Sequence, residues 1–196
     1  PIGIFGLTAG SIGEAELTLP GGFVAELVRL ARYAGTVIGG LLIHASVTLI
    51  LILLFVAKRR PLRFLKNMVP ALLTAFSTGS SMATLPVSMT YITERNKVSE
   101  RIADFVLPIG ATVNMDGTAL YQVVAAVFIA QIYNIQLGLA EMSIMVLTAT
   151  IGSIGAAAIP QAGLVTLVVV LRSVGLPVEG IGAILSIDWF IDRCRT

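Results

Sequence analysis

The sequence predicts an all-α integral membrane protein in which transmembrane helices are joined by two re-entrant helical hairpins arranged as an inverted repeat. Three observations carry that reading. The 196 residues are 56% hydrophobic and only 12% charged, where soluble domains carry about 25% charged residues. Residues 34–57, 69–92 and 142–171 contain no Asp, Glu, Lys or Arg, and roughly 20 apolar residues suffice to cross ~30 Å of hydrocarbon. The second and third of these runs are broken in their middles by Gly, Ser and Pro, which a single straight helix does not explain. The net charge of +2 comes from a few loops, so nucleic acid is not implied. Cys194 is the only cysteine, which excludes a disulfide framework and a metal-ligand cluster and leaves a small packed residue.

Residues 1–12 read as the tail of a membrane helix, and Leu19-Pro20-Gly21-Gly22 as a turn. The chain opens on Pro1 with no signal-peptide pattern and stops at Thr196 just after its most polar stretch, so it is read as an excised piece. A helix is expected over 21–57, with Glu26, Arg29 and Arg32 on an interfacial segment and His44 inside the span. An intramembrane histidine either packs through hydrogen bonds or relays protons. Lys58, Arg59, Arg60, Arg63 and Lys66 then form a basic loop that the positive-inside rule puts in the cytoplasm.

The run 69–92 ends in the mixed-charge stretch 94–101, again rich in basic residues. Both flanks want one side of the membrane, so 62–93 is expected to be a re-entrant hairpin with its tip around Thr78–Pro86. Residues 105–140 hold one charge, Asp116, within Asn114-Met115-Asp116-Gly117-Thr118. Asn, Asp and Gly are poor helix formers that favour local side-chain bonds. A helix over 102–134 is therefore expected to break there, either freeing carbonyls for a cation or forming a polar kink satisfied by neighbouring helices. A second hairpin is expected over 142–172, with its break between Gly152 and Gly163, then a polar helix over 180–196. The stretch Thr74–Pro86 aligns without gaps with Thr148–Pro160, a weak identity, and each hairpin precedes a helix bearing buried polar residues. Because the hairpins open to opposite sides, the repeat is inverted, as in secondary transporters.

In the last stretch, Asp188, Asp192 and Arg195 fall at i, i+4 and i+7, on one helical stripe. Charges at membrane depth are costly and face a cavity or a partner. The stripe is therefore a site for a molecule carrying both signs or a self-satisfied Asp–Arg pair. Helix N-termini at the hairpin tips would present N–H groups to an anion. Arg195 offers a fork for a carboxylate and Asp192 an acceptor for an ammonium. Carbonyls near Asn114 and Met115, with the Asp116 carboxylate, suit sodium. An acidic amino acid co-transported with sodium fits these groups. An enzyme is disfavoured: Asp188 and Asp192 share one helix, Asp116 lacks a Gly-x-Gly-Asp context, and neither a zinc signature nor a nucleophile elbow is present. A channel would use the same elements without alternating access.

The strings SSMATLP, NMDGTALY, SIGAAAIPQAGLVT and DWFIDRCRT closely resemble the excitatory amino-acid transporter and neutral amino-acid exchanger family, the dicarboxylate/amino acid:cation symporters. The resemblance covers the whole chain, from the end of the fifth membrane helix to the middle of the eighth. It implies a homotrimer in which an elevator-type transport domain (here 21–196) moves against a scaffold (here 1–20), in a plasma or bacterial inner membrane. By the same resemblance, Arg195 binds the substrate side-chain carboxylate and Asp192 its amino group, while Ser81, Thr118 and Gly163 touch substrate. The 153–163 loop resembles the extracellular gate. Sodium would be held by carbonyls of Gly110 and Asn114 at one site. A second site would use those of Thr112, Met115, Ser153, Ile154 and Ala156, and a third the side chains of Asn114 and Asp116. Asp188 resembles a supporting hydrogen-bonding residue.

Departures from the family pattern matter as well. Met82 replaces the third serine of the first tip. Gln122 stands where the excitatory transporters carry the glutamate linked to proton and potassium coupling, which implies transport without potassium counter-transport. Arg195 is lacking in the neutral exchangers and favours an acidic substrate over sodium-dependent neutral exchange. Gly79 and Arg193 follow the animal-type arrangement. The family's next helix turns, with an Asn and an Asp, and its third helix complete these sites beyond the chain.

Overall fold

The computed structural model describes residues 22–196. The expected helix tail at 1–12 and the turn beginning at Leu19 lie outside the described residues, as does the start of the first hydrophobic segment at residue 21. Every regular element among the described residues is helical.

Helix α1 (Gly22–Ile43) runs on into π-helical turns over His44–Leu49 and Ile52–Val56. The stretch Val24–Val56 is long and apolar enough to cross a membrane. Its inner face carries the buried Tyr33, Ala34 and Val37, whereas no residue of the two π-helical segments is buried. The middle of α1 thus packs on the protein, and the π-helical continuation presents apolar side chains outward.

A helical hairpin follows, α2 (Pro61–Thr78) and α3 (Ser81–Glu94), joined at Gly79–Ser80. Pro61 occupies the first turn of α2, where its missing N–H costs nothing. Gly79 ends α2 with φ +59°, a left-handed conformation that glycine adopts without a Cβ penalty. Ser80 begins α3 by accepting from the Ala83 N–H at 3.2 Å. The outer ends of the two helices meet, with Asn67 Nδ2 donating to the Arg95 carbonyl at 3.2 Å. Both flanks of the hairpin therefore lie at one end of the molecule, as their shared basic character predicts.

Helices α4 (Glu100–Val113) and α5 (Asp116–Ile132) are one apolar stretch interrupted at Asn114–Met115, where the break is expected. The internal prolines Pro70, Pro86 and Pro108 of α2, α3 and α4 each precede by four residues a threonine whose hydroxyl donates to the proline carbonyl (Thr74, Thr90 and Thr112). Proline and back-bonded hydroxyl both bend a helix, and the bond satisfies the polar group locally. A second hairpin, α6 (Leu139–Ile154) and α7 (Ala162–Ser173), is joined by a longer tip over residues 155–161, and α8 (Ile181–Arg195) closes the chain after a short 3₁₀ turn at Val178–Gly180.

The centre of the molecule is α5, which packs against α1, α6, α7 and α8. Its apolar residues point in all directions, as a core helix requires, and Tyr121, Gln122, Ala125, Ala126 and Ile129 are fully buried. Around them sit Val37, Met145, Ala149, Leu167, Val170, Leu171, Ile184 and Ile191, with Tyr33 and Phe128 stacked at 4.8 Å between ring centroids.

The two hairpins repeat in topology but not in the register of the gapless alignment. That alignment sets Gly79–Ser80 opposite Ser153–Ile154, still helical in α6. It also sets Pro86, inside α3, opposite Pro160 in the second tip. The second break falls later in this register because the helix runs on to Ile154, with Ser153 Oγ back-bonded to the Thr150 carbonyl at 2.8 Å.

Candidate functional site

The two tips, the α4–α5 break and the end of α8 converge on one cavity of ≈ 90 Å³, well above the roughly 10–15 Å³ that one water needs. Its walls include Ser81, Thr118, Gly163, Asp192 and Arg195, the whole set of residues singled out for substrate. Asn114, Met115, Asp116 and Ala156, from the sodium set, also line it. Gly110, Thr112, Ser153, Ile154 and Gln122 are not among its lining residues.

Arg195 and Asp192 dominate the cavity electrostatically. Their side chains are 3% and 7% exposed and form an ion pair, with Arg195 Nε donating to Asp192 Oδ1 at 2.9 Å and Nη2 donating to the same oxygen. Asp192 Oδ2 accepts from the Gln161 N–H of the second tip at 2.9 Å. The self-paired arrangement foreseen for the stripe therefore forms, but it leaves one donor over. Arg195 Nη1 is buried and has no hydrogen-bond partner. An unmet charged donor in a cavity wall is what an incoming anion would satisfy. Gly163 makes room for this guanidinium, because a Cβ there would overlap Arg195. The guanidinium also lies over the Tyr121 ring, 4.3 Å from its centroid.

Asp188 is fully buried one turn back and is not part of the cavity wall. It accepts from Tyr121 Oη at 2.6 Å, so it fixes the ring on which Arg195 rests. Gln122 reaches from α5 to the start of α7, with Nε2 donating to the Gly163 carbonyl at 3.4 Å and to Thr166 Oγ1. Its Oε1 is buried and unpartnered.

The oxygens expected for sodium are distributed over both sides of the break. The Gly110 carbonyl accepts from the Asn114 N–H, and the Met115 carbonyl accepts from Thr118 and Ala119. A carbonyl has two lone pairs, so the Gly110 oxygen keeps one direction open to a cation, whereas the Met115 oxygen would have to give up or share one of its two bonds. Helix α4, which carries Gly110 and Thr112, touches α6, which carries Ser153 and Ile154. The Asp116 carboxylate contacts His44 Nε2 on α1. His44 is thus hydrogen-bonded, at the point where α1 widens into π-helical turns, a distortion frequent at functional sites.

Sequence reasoning missed the contacts of three residues, Arg193 entering it only as part of the animal-type arrangement. Ser80 Oγ donates to the Ala158 carbonyl at 2.9 Å, a direct tie between the two tips. Arg193 Nη1 donates to the Phe76 and Ser77 carbonyls, which places a cation at the negative end of α2. Tyr121 supports both Arg195 and Asp188. Tyr121 had a signal, an aromatic hydroxyl beside Gln122 in an otherwise apolar helix, while the other two had none that is local.

Comparison with known proteins now adds to this geometry. The family model described as the sodium:dicarboxylate symporter family matches residues 1–196. The chain is 50% identical over 197 residues to excitatory amino acid transporter 1 of Homo sapiens, covering 100% of this chain and 35% of that protein. It is 51% identical to excitatory amino acid transporter 3 of Homo sapiens, covering 100% of this chain and 36% of that protein. The same identity holds to excitatory amino acid transporter 4 of Mus musculus, of which 34% is covered. The chain spans about a third of the length of these relatives.

Proposed function

The chain belongs to the sodium:dicarboxylate symporter family, and from that premise we propose that it carries the substrate site of a sodium-coupled symporter of acidic amino acids rather than that of an enzyme. The observation that supports this most is the unpartnered Arg195 Nη1 in a cavity that also holds Asp192 and two helix N-termini.

The exchange of partners explains why such a site suits glutamate or aspartate. In the present arrangement Asp192 and Arg195 neutralise each other. An acidic amino acid offers an ammonium to Asp192 and a side-chain carboxylate to Arg195, so the internal pair can be traded for two external ones with no charge stranded. Its second carboxylate falls to the N-terminal turns of α3 and α7, where Ser81 and Gly163 line the cavity. Thr118 adds a hydroxyl. A neutral amino acid would satisfy Asp192 but leave the guanidinium donor unmet, at a cost of roughly 1–3 kcal/mol. This favours acidic-substrate symport over neutral exchange.

Sodium, as co-transported cargo, would be bound by Gly110 and Asn114, by Thr112, Met115, Ser153, Ile154 and Ala156, and by the side chains of Asn114 and Asp116. Coupling then follows from position, since Met115, Asp116 and Ala156 belong to both the cation set and the substrate cavity. A cation there orders the break and the second tip before substrate arrives. Gln122 cannot ionise, so it offers no carboxylate to a proton or a potassium ion, which supports transport without potassium counter-transport. In this reading α2–α3 and α6–α7 are re-entrant hairpins of an inverted repeat. Residues 21–196 form an elevator-type transport domain and residues 1–20 belong to the scaffold of a multi-pass homotrimer in a plasma or bacterial inner membrane.

The test is sodium-driven uptake by the full-length protein carrying this chain, in proteoliposomes, of aspartate, glutamate, alanine and serine, with and without internal potassium. Saturable acidic uptake that ignores potassium is the expected result. Neutral uptake alone, or exchange without accumulation, would overturn the acidic-substrate reading.

A further inference from the structure

The connection between α1 and α2 is the most strongly one-signed surface among the described residues. Lys58, Arg59, Arg60, Arg63 and Lys66 are all exposed, and none is in an ion pair with an acidic side chain of the described residues. The turn that presents them is compact. Lys58 takes φ +50°, and the Arg59 N–H donates back to the Leu53 carbonyl at 2.9 Å, which folds the basic residues under the end of α1. Arg60 then leads into an 18-residue helix whose first turn has no acidic residue and no side-chain cap, so its N–H groups face outward.

Apolar surface adjoins this charge on both sides. Phe55, Val56 and Leu62 are 74%, 76% and 83% exposed. Leu54 and Leu62 share an open groove with Lys58, Arg59, Arg60 and Arg63. Cations beside bare aliphatic and aromatic side chains match a molecule with an anionic head and a hydrocarbon body.

We propose that the α1–α2 connection is a docking site for an anionic phospholipid of the cytoplasmic leaflet. The phosphodiester is held between the Arg59, Arg60 and Arg63 guanidinium groups at the start of α2, and the acyl chains lie along Leu54, Phe55 and Val56. Arginine forks match phosphate geometry and tolerate desolvation better than ammonium groups do. Basic clusters directly cytoplasmic of a membrane helix attract anionic lipid. The α3–α4 connection is the internal contrast: Arg95, Lys97 and Arg101 there are interleaved with Glu94, Glu100 and Asp104, so the charges cancel locally. Through α2 and Gly79 the docked lipid would anchor the outer end of the hairpin whose tip meets Asp192. The proposal rests on the membrane-transporter reading above.

The test uses the full-length protein carrying this chain, reconstituted in phosphatidylcholine with a minority of phosphatidylglycerol. Lipid retained after detergent extraction is counted by native mass spectrometry. The wild type is expected to retain phosphatidylglycerol preferentially. The Lys58→Gln/Arg59→Gln/Arg60→Gln variant should lose about tenfold or more of that retention, and Arg95→Gln/Lys97→Gln should lose none. Because the substituted side chains are exposed, the fold is not at risk. Equal retention by wild type and triple variant, no preference over phosphatidylcholine, or displacement by inorganic phosphate at equal concentration would each overturn lipid docking. Sodium-driven uptake measured in phosphatidylcholine alone separates the two readings: its absence in the wild type counts against symport, whereas lipid retention reports on the groove.

Discussion

The two hairpins have the same topology and opposite ways of holding their tips. The first tip is short and self-contained: Gly79 ends α2, and Ser80 caps α3 with its own hydroxyl. The second tip spans residues 155–161, and Gln161 at the head of α7 takes φ +62° with no side-chain cap. Its fastenings come from elsewhere, from Asp192 on α8 and Ser80 on the first tip. The helical arms differ in the reverse sense. Helices α6 and α7 bury Met145, Ala149, Leu167, Val170 and Leu171, while α2 and α3 bury only Ala71 and Thr84. A well-anchored pair of arms with a borrowed tip is built to open at the tip, and a self-capped tip on lightly buried arms is built to move as one piece. On the proposed reading the second tip would be the gate, with the substrate's own partners as its latch.

Four substitutions would break or sharpen that contrast. Asp192→Ala has the largest expected effect, because it strands the buried Arg195 guanidinium and removes the acceptor for Gln161. Breaking a buried pair costs about 3–5 kcal/mol, so aspartate uptake should fall more than roughly a hundredfold in KM-limited conditions. Gly163→Ala forces a methyl into the Arg195 guanidinium, the far end of a flexible side chain, which must swing out of its place in the cavity wall. Uptake of acidic substrate should drop roughly tenfold to a hundredfold, while the thermal midpoint moves little. Gly79→Ala acts on the self-contained tip, where a left-handed alanine costs about 1–2 kcal/mol. Its main effect should appear in thermal stability, with only a minor change in the aspartate KM, since a Cβ there would stand in ordinary contact, 3.5 Å from Asp192 Oδ2 at the cavity. Ser80→Ala removes one tie worth about 1 kcal/mol. In a Cys194→Ser background with Cys introduced at Ile159, thiol labelling of the second tip should rise about fivefold. Labelling that rises with Gly79→Ala and not with Ser80→Ala would contradict the assignment of the second tip as the gate.

Much of this was legible in the sequence because membrane physics leaves it little freedom. Uncharged runs interrupted by breakers mark the hairpins, and Asn114-Met115-Asp116-Gly117 marks the split between α4 and α5 since those residues stabilise local turns. The clustering of Ser81, Thr118, Gly163, Asp192 and Arg195 followed from motifs matched residue by residue. What could not be read are contacts between distant segments. Ser80 meets Ala158 and Arg193 meets Phe76 only after four helices have packed, and no local periodicity encodes them. The second break falls at residues 155–161, within the expected Gly152–Gly163 stretch, but the gapless repeat alignment does not carry over residue by residue, since Ser153 and Ile154, opposite Gly79 and Ser80, are still helical.

The central claim is that Arg195 selects the acidic side chain in a sodium-dependent site. Calorimetric titration of aspartate and serine into the full-length protein, wild type and Arg195→Ala, in sodium and in choline, tests it most directly. The account predicts aspartate binding in sodium only, weakened at least a hundredfold in the variant, with serine gaining relative to aspartate. Aspartate affinity unchanged by Arg195→Ala, or undiminished in choline, would contradict it.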